Sequence, residues 1–311
     1  MSAKIEPFVQ VAEVWTPDGK CLRYRSGAYG RHTAFAEASE HLTFVSGQGL
    51  PGAAWAARRP IVWDRLDERF LRRALAESAG LDAGVAFPVF RGDDIIAVVS
   101  LLCGSREHTG GCIELWEPNE LRELALTSGY YGQLAAFGEL SALIRFQKGR
   151  GLPGITWERG LPHIIADLRS SAAFIRAAAA RTSAVSAGLG VPLYAGGEIA
   201  QILLLLSAHA TPLASAFEVW LVEPSGALRL SEFYYASELG VPSDGTRPPP
   251  FPPGEGLALR VKETGLPFAS RAPHTLQPVR GSAPARASFQ LGLGLPVHDG
   301  ERLRAIVNLI S

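Results

Sequence analysis

The sequence lacks an excess of charge of either sign. Its 311 residues include 30 Lys plus Arg and 30 Asp plus Glu, so the formal net charge is zero. This balance gives no electrostatic reason to expect nucleic acid or an anionic membrane as a partner. The adjacent cations Arg58-Arg59 and Arg72-Arg73 are isolated pairs, and we expect all four side chains on the solvated surface.

Cysteine and long apolar runs are also scarce. The three cysteines, Cys21, Cys103 and Cys112, form no C-x-x-C pair, which favours a reducing compartment and argues against a structural zinc site. The first residues carry no apolar segment typical of a secretory signal. The longest apolar run, near residues 199–206, is far shorter than the roughly 20 residues that span a bilayer. The sequence therefore predicts a cytoplasmic protein without a membrane partner.

Motifs of catalysis are missing too. No G-x-S-x-G nucleophile elbow occurs, and the Gly47-Gln-Gly49 stretch lacks the Lys-Ser/Thr that would follow in a phosphate loop. The cysteines show no recognisable arrangement of a nucleophilic and a resolving thiol. Cys103 ends an apolar strand, so we expect it to be inert rather than a point of chromophore attachment. These absences favour a protein that is not an enzyme.

What the sequence does contain is a repeat of the pattern F-x-x-G-x-G-L, at residues 44–50, 146–152 and 251–257. Its first glycine recurs after 102 residues (47 to 149) and again after 105 (149 to 254). A second landmark, an apolar-Pro-apolar triplet, places Pro88, Pro192 and Pro296 at intervals of 104 residues. Two landmarks with one period indicate three copies of a small domain. We place these units at residues 1–106, 110–208 and 214–311.

The first unit shows the order of elements most clearly: hairpin, helix, short strand, helix, hairpin. Pro51 suits the first turn of the first helix, and Asp67 is expected to cap the second, which would end at Gly80. The last strand, residues 95–102, is apolar on both faces, as is residues 199–206 of the second unit. Such strands lie in mid-sheet with both sides covered. The sequence predicts an α+β fold of three tandem units, each with a mostly antiparallel sheet, packed together through their sheet faces.

The second unit repeats these elements, and the third diverges. Glu114-Leu-Trp116 matches Glu13-Val-Trp15, and Trp157 stands where the first unit has Trp55. In the third unit, residues 247–253 form a Pro-rich loop that we expect to be stiff and extended, with docking of a partner as an alternative. Its second helical region, residues 278–287, contains Gly281 and Pro284 and is expected to be broken.

The element order, the Gly-x-Gly-Leu-Pro-Gly helix start, and residues 70–81 followed by Ala-Phe-Pro-Val at 86–89 resemble the GAF domain, a PAS/profilin-like fold. The resemblance is clearest in the first unit. It implies a small-molecule-sensing or dimerising module of signalling proteins. Such domains hold cyclic nucleotides, bilins, haem, small metabolites or nothing between the sheet and its connecting helices.

The candidate ligand-binding residues are aromatic side chains with a few polar neighbours, as in most ligand pockets. In the first unit they are Trp55, Trp63, Arg65 and Phe70, and in the second Trp157, His163 and Asp167. Plain packing is the alternative for the tryptophans. His163 could ligate haem or a metal, but no second ligand stands near it in sequence, so a hydrogen-bonded structural role is the alternative. The other histidines considered fall in loops or turns and are expected to be solvated: His41, His108, His209, His274 and His298.

Three functions remain open from the sequence. The first is a non-catalytic, cytoplasmic regulatory protein that senses a small molecule of unknown identity, with no certain cofactor. The second is a protein–protein interaction scaffold whose GAF-like pockets are filled. The third is an enzyme similar to methionine sulfoxide reductase. We expect a protein partner or a homo-oligomer in either non-catalytic case, and filled interiors would favour the scaffold.

Overall fold

The computed structural model describes residues 7–236, 256–271 and 289–311. The described chain forms three antiparallel sheets, of six, six and five strands, with short helices, so the predicted α+β class is confirmed. The Pro-rich loop, Gly254 and the helical region 278–287 lie outside the described residues. None of the described helices is both long enough and apolar enough to cross a bilayer.

The first unit has six strands in the spatial order β3-β2-β1-β6-β5-β4. Its elements are β1 Val9–Asp18, β2 Cys21–Ala28, α1 Thr33–Glu40, β3 Thr43–Val45, α2 Gly49–Ala57, β4 Ile61–Trp63, α3 Arg73–Ala79, β5 Leu81–Arg91 and β6 Asp94–Gly104.

The second unit repeats this topology as β9-β8-β7-β12-β11-β10. Its elements are β7 Gly110–Pro118, β8 Leu124–Gly132, α4 Ala135–Ala142, β9 Arg145–Phe146, α5 Gly151–Arg159, β10 His163–Ile165, α6 Ala177–Thr182, β11 Val185–Ala195 and β12 Glu198–Ala208.

The described part of the third unit follows the same plan, in the order β14-β13-β17-β16-β15. Its elements are β13 Ala216–Val222, β14 Leu228–Tyr235, α7 Leu257–Thr264, β15 Phe268–Ser270, β16 Gly292–Asp299 and β17 Arg302–Ile310.

The repeated glycine motif is a structural device that seats α2 and α5 against the strand before them. A Cβ added at Gly49 would lie 2.8 Å from the Phe44 ring, and one at Gly52 would lie 2.4 Å from the carbonyl oxygen of Val45. Gly49 also has φ of +59°, a left-handed conformation that side chains other than glycine rarely adopt. The same contacts recur at Gly151 and Gly154, so the motif serves backbone packing in both units.

One sequence expectation about the helices is wrong, and two helices lack a sequence signal. The helix α3 begins at Arg73, and its N-cap residue is Arg72, so Asp67 does not cap it; Asp67 instead accepts a hydrogen bond from the backbone N–H of Arg69. The helices α1 and α4 were not predicted at all. Neither has a side-chain cap nor an acidic residue in its first turn, so the usual start signals are missing.

The three sheets face one another around a shared hydrophobic core, and the helices lie on their outer faces. This central core contains buried residues from every sheet, among them Val14, Phe87, Leu189, Leu205 and Leu293. Each unit also has its own outer core between sheet and helices, such as the cluster of Trp15, Phe35, Leu50 and Phe70 in the first unit. The units therefore pack against one another through their sheet faces, as predicted from the strands that are apolar on both faces.

Short edge strands link the units into a ring. The strand β4 packs beside β8, β10 beside β14, and β15 beside β2, so that each unit contacts the next and the third contacts the first. At one of these joints the backbone N–H of Ala269 donates to Ser26 Oγ at 3.1 Å. Such head-to-tail contacts generate a closed ring when the rotation between units closes.

The apolar-Pro-apolar triplets meet at one end of the ring around a cavity of about 30 Å³. Phe90, Tyr194 and His298 line it and stand at intervals of 104 residues. His298 is only 4% exposed, so its expected solvated position is wrong. Burial, together with the positive charge of Arg91, lowers the pKa of His298 to about 4.

Candidate functional site

Each sheet carries one glutamate on the face that meets the helices. Glu13, Glu114 and Glu218 lie on the central strands β1, β7 and β13, and all three are 0% exposed. Because side chains alternate along a strand, the neighbours Val14 and Leu115 face the shared central core instead. A buried carboxylate is costly unless it is paired and hydrogen-bonded, so its surroundings identify the best-defined polar site of each unit.

In the first unit, Glu13 is paired with the guanidinium of Arg72. Arg72 Nη2 donates to Glu13 Oε2 at 3.0 Å, while Nη1 donates to both Glu13 Oε1 and Ser39 Oγ. Tyr29 donates its hydroxyl to Glu13 Oε1 at 3.1 Å. The Arg72 side chain is 4% exposed, and this group fills the space between the sheet, α1 and the turn before α3.

Aromatic rings enclose the Arg72 guanidinium. Its Cζ atom lies 4.3 Å from the ring centroid of Phe35, 5.2 Å from that of Phe70 and 5.9 Å from that of Trp15. All three distances are within the roughly 6 Å over which a cation is attracted to a ring face. We call this group of rings, with Glu13 and Ser39, the arginine cage of unit 1.

The second unit contains an equivalent arginine cage. Arg176 donates from Nη1 to Glu114 Oε1 at 2.6 Å and from Nη2 to Glu114 Oε2 at 2.9 Å, and also to Ser141 Oγ. Trp116 Nε1 and Tyr131 Oη complete the hydrogen bonds to Glu114, at 3.0 and 3.1 Å. Four rings surround the Arg176 Cζ atom at 4.7–5.9 Å, those of Phe137, Phe174, Trp116 and Phe146.

The third unit keeps the glutamate with a different set of described partners. Glu218 accepts hydrogen bonds from Trp220 Nε1 at 2.9 Å, Tyr235 Oη at 2.8 Å and Asn308 Nδ2 at 2.9 Å. Arg280 stands 104 residues after Arg176 in the sequence and lies outside the described residues.

The charge state of the two cages follows from burial and pairing. Burial raises the pKa of Tyr29 and Tyr131 far above that of a free phenol, and the nearby carboxylates of Glu13 and Glu114 raise it further. Both tyrosines are therefore neutral donors. Burial alone would lower the pKa of Arg176, but the charge and hydrogen bonds of Glu114 raise it overall, so Arg176 stays protonated.

The predicted residues of the first unit are only partly brought together. Phe70 is a wall of the arginine cage, whereas Trp55 and Trp63 are half-buried at the edge of the same outer core. Arg69 covers Trp63, with its Cζ atom 4.8 Å from the ring centroid. Arg65 points elsewhere and lines an open cleft of about 470 Å³ beside α3.

The charged groups that line this cleft largely pair with one another. Arg73 binds Glu77 at 2.7 Å, Arg106 lies 3.8 Å from Asp64, and Asp82 accepts from the backbone N–H of Arg106 at 2.9 Å. The cleft is thus a polar groove on the surface rather than an enclosed aromatic pocket.

The predicted residues of the second unit lie in three different surroundings. Trp157 is half-buried with Lys148 Nζ 4.7 Å from its ring centroid. Asp167 accepts from the Arg169 N–H at 3.1 Å and from Ser170 Oγ at 2.6 Å. His163 faces the third unit, where its Nδ1 lies 2.9 Å from Glu232 Oε2.

The thiols are poorly placed for chemistry. Cys103 and Cys112 are both fully buried, and burial raises the pKa of each thiol well above its ordinary value. The half-exposed Cys21 donates to the carbonyl oxygen of Asp18 at 3.5 Å. Across the described ranges, no cluster of three or more His, Cys, Asp or Glu side chains could hold a metal ion.

Sequence reasoning missed the two arginines at the centre of the cages. Arg72 was expected on the surface with Arg73, and Arg176 was not singled out. A signal existed: Arg72 and Arg176 are 104 residues apart, the same interval that separates the repeated prolines. A charged residue that keeps the period of an apolar landmark is a candidate for a buried position.

No family model and no curated protein matches the sequence. Solved structures that resemble one unit include a GAF domain from A. aeolicus, at 19% identity over 31% of this chain and 58% of that chain, with a TM-score of 0.27. Another is a free methionine-R-sulfoxide reductase from Neisseria meningitidis, at 22% identity over 33% of this chain and 55% of that one, with a TM-score of 0.26. A GAF domain/HD domain protein from Geobacter sulfurreducens matches at 13% identity over 33% of this chain and 67% of that one, with a TM-score of 0.29.

Each match covers about a third of this chain. It covers less than two thirds of the A. aeolicus and Neisseria meningitidis chains. Overlaps with TM-scores this low carry no argument about activity or ligand.

Proposed function

We propose that this chain is a non-catalytic regulatory protein that acts as an interaction scaffold, with its GAF-like interiors filled by its own side chains. The observation that carries this proposal is the pair of arginine cages. In each, a guanidinium occupies the space between sheet and helices where a sensor would hold its ligand.

A small molecule could enter either cage only by displacing the arginine. Displacement would leave Glu13 or Glu114 as a buried, unpaired charge, and breaking a buried ion pair in this way costs about 3–5 kcal/mol. Filled interiors therefore favour the scaffold over the sensor as the function of these two cages.

The sensor is retained as a second candidate at the open cleft of unit 1. That cleft is large enough for a small metabolite, and Arg65 lines it together with Asp64 and Glu68. Its mixed charges would suit a polar, zwitterionic ligand. An enzyme of the sulfoxide reductase kind gains no support from thiols that are buried or bonded to backbone oxygen.

A partner surface is most apparent on the second unit. Among the described residues, six large apolar side chains are exposed, and four of them belong to this unit: Leu121, Leu140, Leu143 and Ile175. Leu121 and Leu143 are the most exposed, at 79% and 82%. Exposed apolar groups are common singly, and it is their number in this one unit that supports a contact surface for a protein partner or a second copy.

Two measurements on the full chain test this proposal. Thermal unfolding against a panel of nucleotides, amino acids, small metabolites and haem should give no stabilisation of the wild-type protein, since bound ligand would raise Tm. Sedimentation over a range of concentrations should show self-association, or binding of a candidate partner, that weakens in Leu143→Asp. The matched control is Glu139→Asp on α4, the helix whose C-cap residue is Leu143.

If a ligand stabilises the wild-type chain and this stabilisation is lost in Arg65→Ala, the function as a sensor at the cleft is favoured over the function as a scaffold. If the wild-type and Leu143→Asp chains associate equally, the proposal that the second unit carries the contact surface is contradicted.

A further inference from the structure

The two cages hold their arginines in the way that proteins hold a guanidinium ligand. Glu13 takes two parallel N–H bonds from Arg72, and Glu114 takes two from Arg176. This bidentate geometry matches a planar guanidinium and does not match an ammonium ion. The surrounding rings add the attraction of a cation to an aromatic face.

The two cages share several groups although they lie in different parts of the chain, and they differ at the tryptophan: Trp116 Nε1 donates to Glu114, whereas Trp15 Nε1 has no hydrogen-bond partner. Phe35 corresponds to Phe137, Phe70 to Phe174, and Ser39 to Ser141. In both units the cation sits over the rings and its Nη1 atom bridges the carboxylate and the serine hydroxyl. The recognition elements therefore come from the cage, and the aliphatic part of the arginine serves as the tether.

The nitrogen nearest that tether is not recognised. Arg72 Nε and Arg176 Nε are buried and have no hydrogen-bond partner. Each cage thus binds the two terminal nitrogens and leaves the third side for the carbon substituent. A guanidinium with one small alkyl group has the same shape and charge.

We propose that the interiors of units 1 and 2 are guanidinium-binding sites, occupied in the native chain by Arg72 and Arg176. Removal of either side chain to Cβ opens a site selective for a small, singly substituted guanidinium. This inference rests on the filled interiors of the proposed function, but it concerns the chemistry of the cages rather than the presence of a partner.

The test uses the full chain with Arg72→Ala and methylguanidinium chloride as the probe. Tm is measured at low millimolar probe against the same concentration of sodium chloride. Methylguanidinium should raise Tm of Arg72→Ala by about 2 °C or more, because the probe restores a partner to Glu13 in the folded state only. The wild-type chain, whose cages are occupied, should show no rise.

Three controls define the selectivity. Methylammonium has the charge without the planar fork, and methylurea has the shape without the charge, so neither should stabilise Arg72→Ala. The double variant Arg72→Ala with Glu13→Gln lacks the carboxylate and should lose the response. Arg176→Ala is the matched variant in the other unit, and its response should depend on Glu114 in the same way.

Where Arg72→Ala does not fold alone, its refolding yield with and without the probe gives the same comparison, with methylammonium as reference. Equal effects of methylguanidinium and methylammonium on Arg72→Ala, or a rise in Tm that persists in the double variant Arg72→Ala with Glu13→Gln, would overturn the inference. So would the lack of any response in both arginine variants. None of these results bears on the scaffold, which is tested on the wild-type chain and at Leu143.

Discussion

At the residue scale, two adjacent arginines differ in burial. The side chain of Arg72 is 4% exposed and that of Arg73 is 52% exposed. Charged residues are almost never fully buried unless they are paired, so the expectation that both are solvated followed the general rule. The partner that overrides the rule is Glu13, 59 residues earlier in the chain. No local pattern announces such a pairing, which is why it could not be predicted from the sequence around Arg72.

Replacement of Arg72 tests what the buried pair contributes. Arg72→Met keeps much of the side-chain volume but leaves Glu13 charged, buried and unpaired, so we expect a loss of about 3–5 kcal/mol in the free energy of unfolding. The double variant Arg72→Met with Glu13→Gln removes the stranded charge and should recover a large part of that loss. Chemical denaturation of the full chain measures both.

The neighbouring position supplies the control. Arg73→Met breaks only an exposed pair with Glu77 and should leave the denaturation midpoint nearly unchanged. A loss in Arg73→Met comparable to that in Arg72→Met would show that the cage is not what distinguishes the two positions.

At the element scale, the helices with a sequence signature were predicted and those without one were not. The glycine motif with Pro51 marks the start of α2, and its repeat marks α5. The helices α1 and α4 have no capping side chain and are held by packing of Phe35 and Phe137 into the outer cores. Their stability comes from tertiary contacts, which sequence reasoning about a short segment does not register.

The turn after α6 offers a matched comparison with the turn after α3. Gly80 and Ala184 stand 104 residues apart, and both have left-handed backbones, with φ of +69° and +53°. This conformation costs a residue with a Cβ roughly 1–2 kcal/mol, partly offset by the lower entropy of its unfolded chain. Ala184→Gly should therefore stabilise the protein by about 0.5–1 kcal/mol, measured by thermal or urea unfolding.

The reciprocal change checks the sign of this effect. Gly80→Ala should destabilise the protein by a similar amount, since it places a Cβ where the backbone is left-handed. If Ala184→Gly lowers stability instead, the turn is held by the contacts of the alanine methyl rather than limited by backbone strain.

At the scale of the whole molecule, the inward packing of the sheets could be predicted and the ring of joints could not. Strands that are apolar on both faces, such as β6 and β12, imply cover on both sides. The joints between units depend on edge strands of three residues, β4, β10 and β15, which are too short to carry a periodic signal. The joint between units 2 and 3 is polar, because Glu232 accepts from the Ile164 N–H at 2.7 Å and lies beside His163 and Arg159.

That joint should weaken in acid. Burial alone would raise the pKa of Glu232, but the hydrogen bonds from His163 and Ile164 and the charge of Arg159 lower it overall, below the ordinary 4.5. A carboxyl group with a lowered pKa in the folded state stabilises the fold above its unfolded value and loses that contribution as pH falls through its folded value. Glu232→Gln should cost about 1–2 kcal/mol at pH 7 and progressively less below about pH 4.5.

Chemical denaturation of the wild-type and variant chains at pH 7 and at pH 3 makes this comparison. Glu223→Gln, in the half-exposed pair with Arg229, is the control and should have little effect at either pH. A deficit in Glu232→Gln that is the same at pH 7 and pH 3 would mean that packing, and not charge, holds the joint.

The closed ring has a consequence for how the protein can diversify. An assembly of three identical short chains would have to repeat every seam three times, so any change at one seam would alter all of them. Here the hydroxyl of Ser26 accepts a hydrogen bond from the backbone N–H of Ala269 at one seam, and the carboxylate of Glu232 accepts one from the backbone N–H of Ile164 at another. Joining the copies in one chain lets each seam, and each outward surface, acquire its own chemistry while the common interior keeps the trio together.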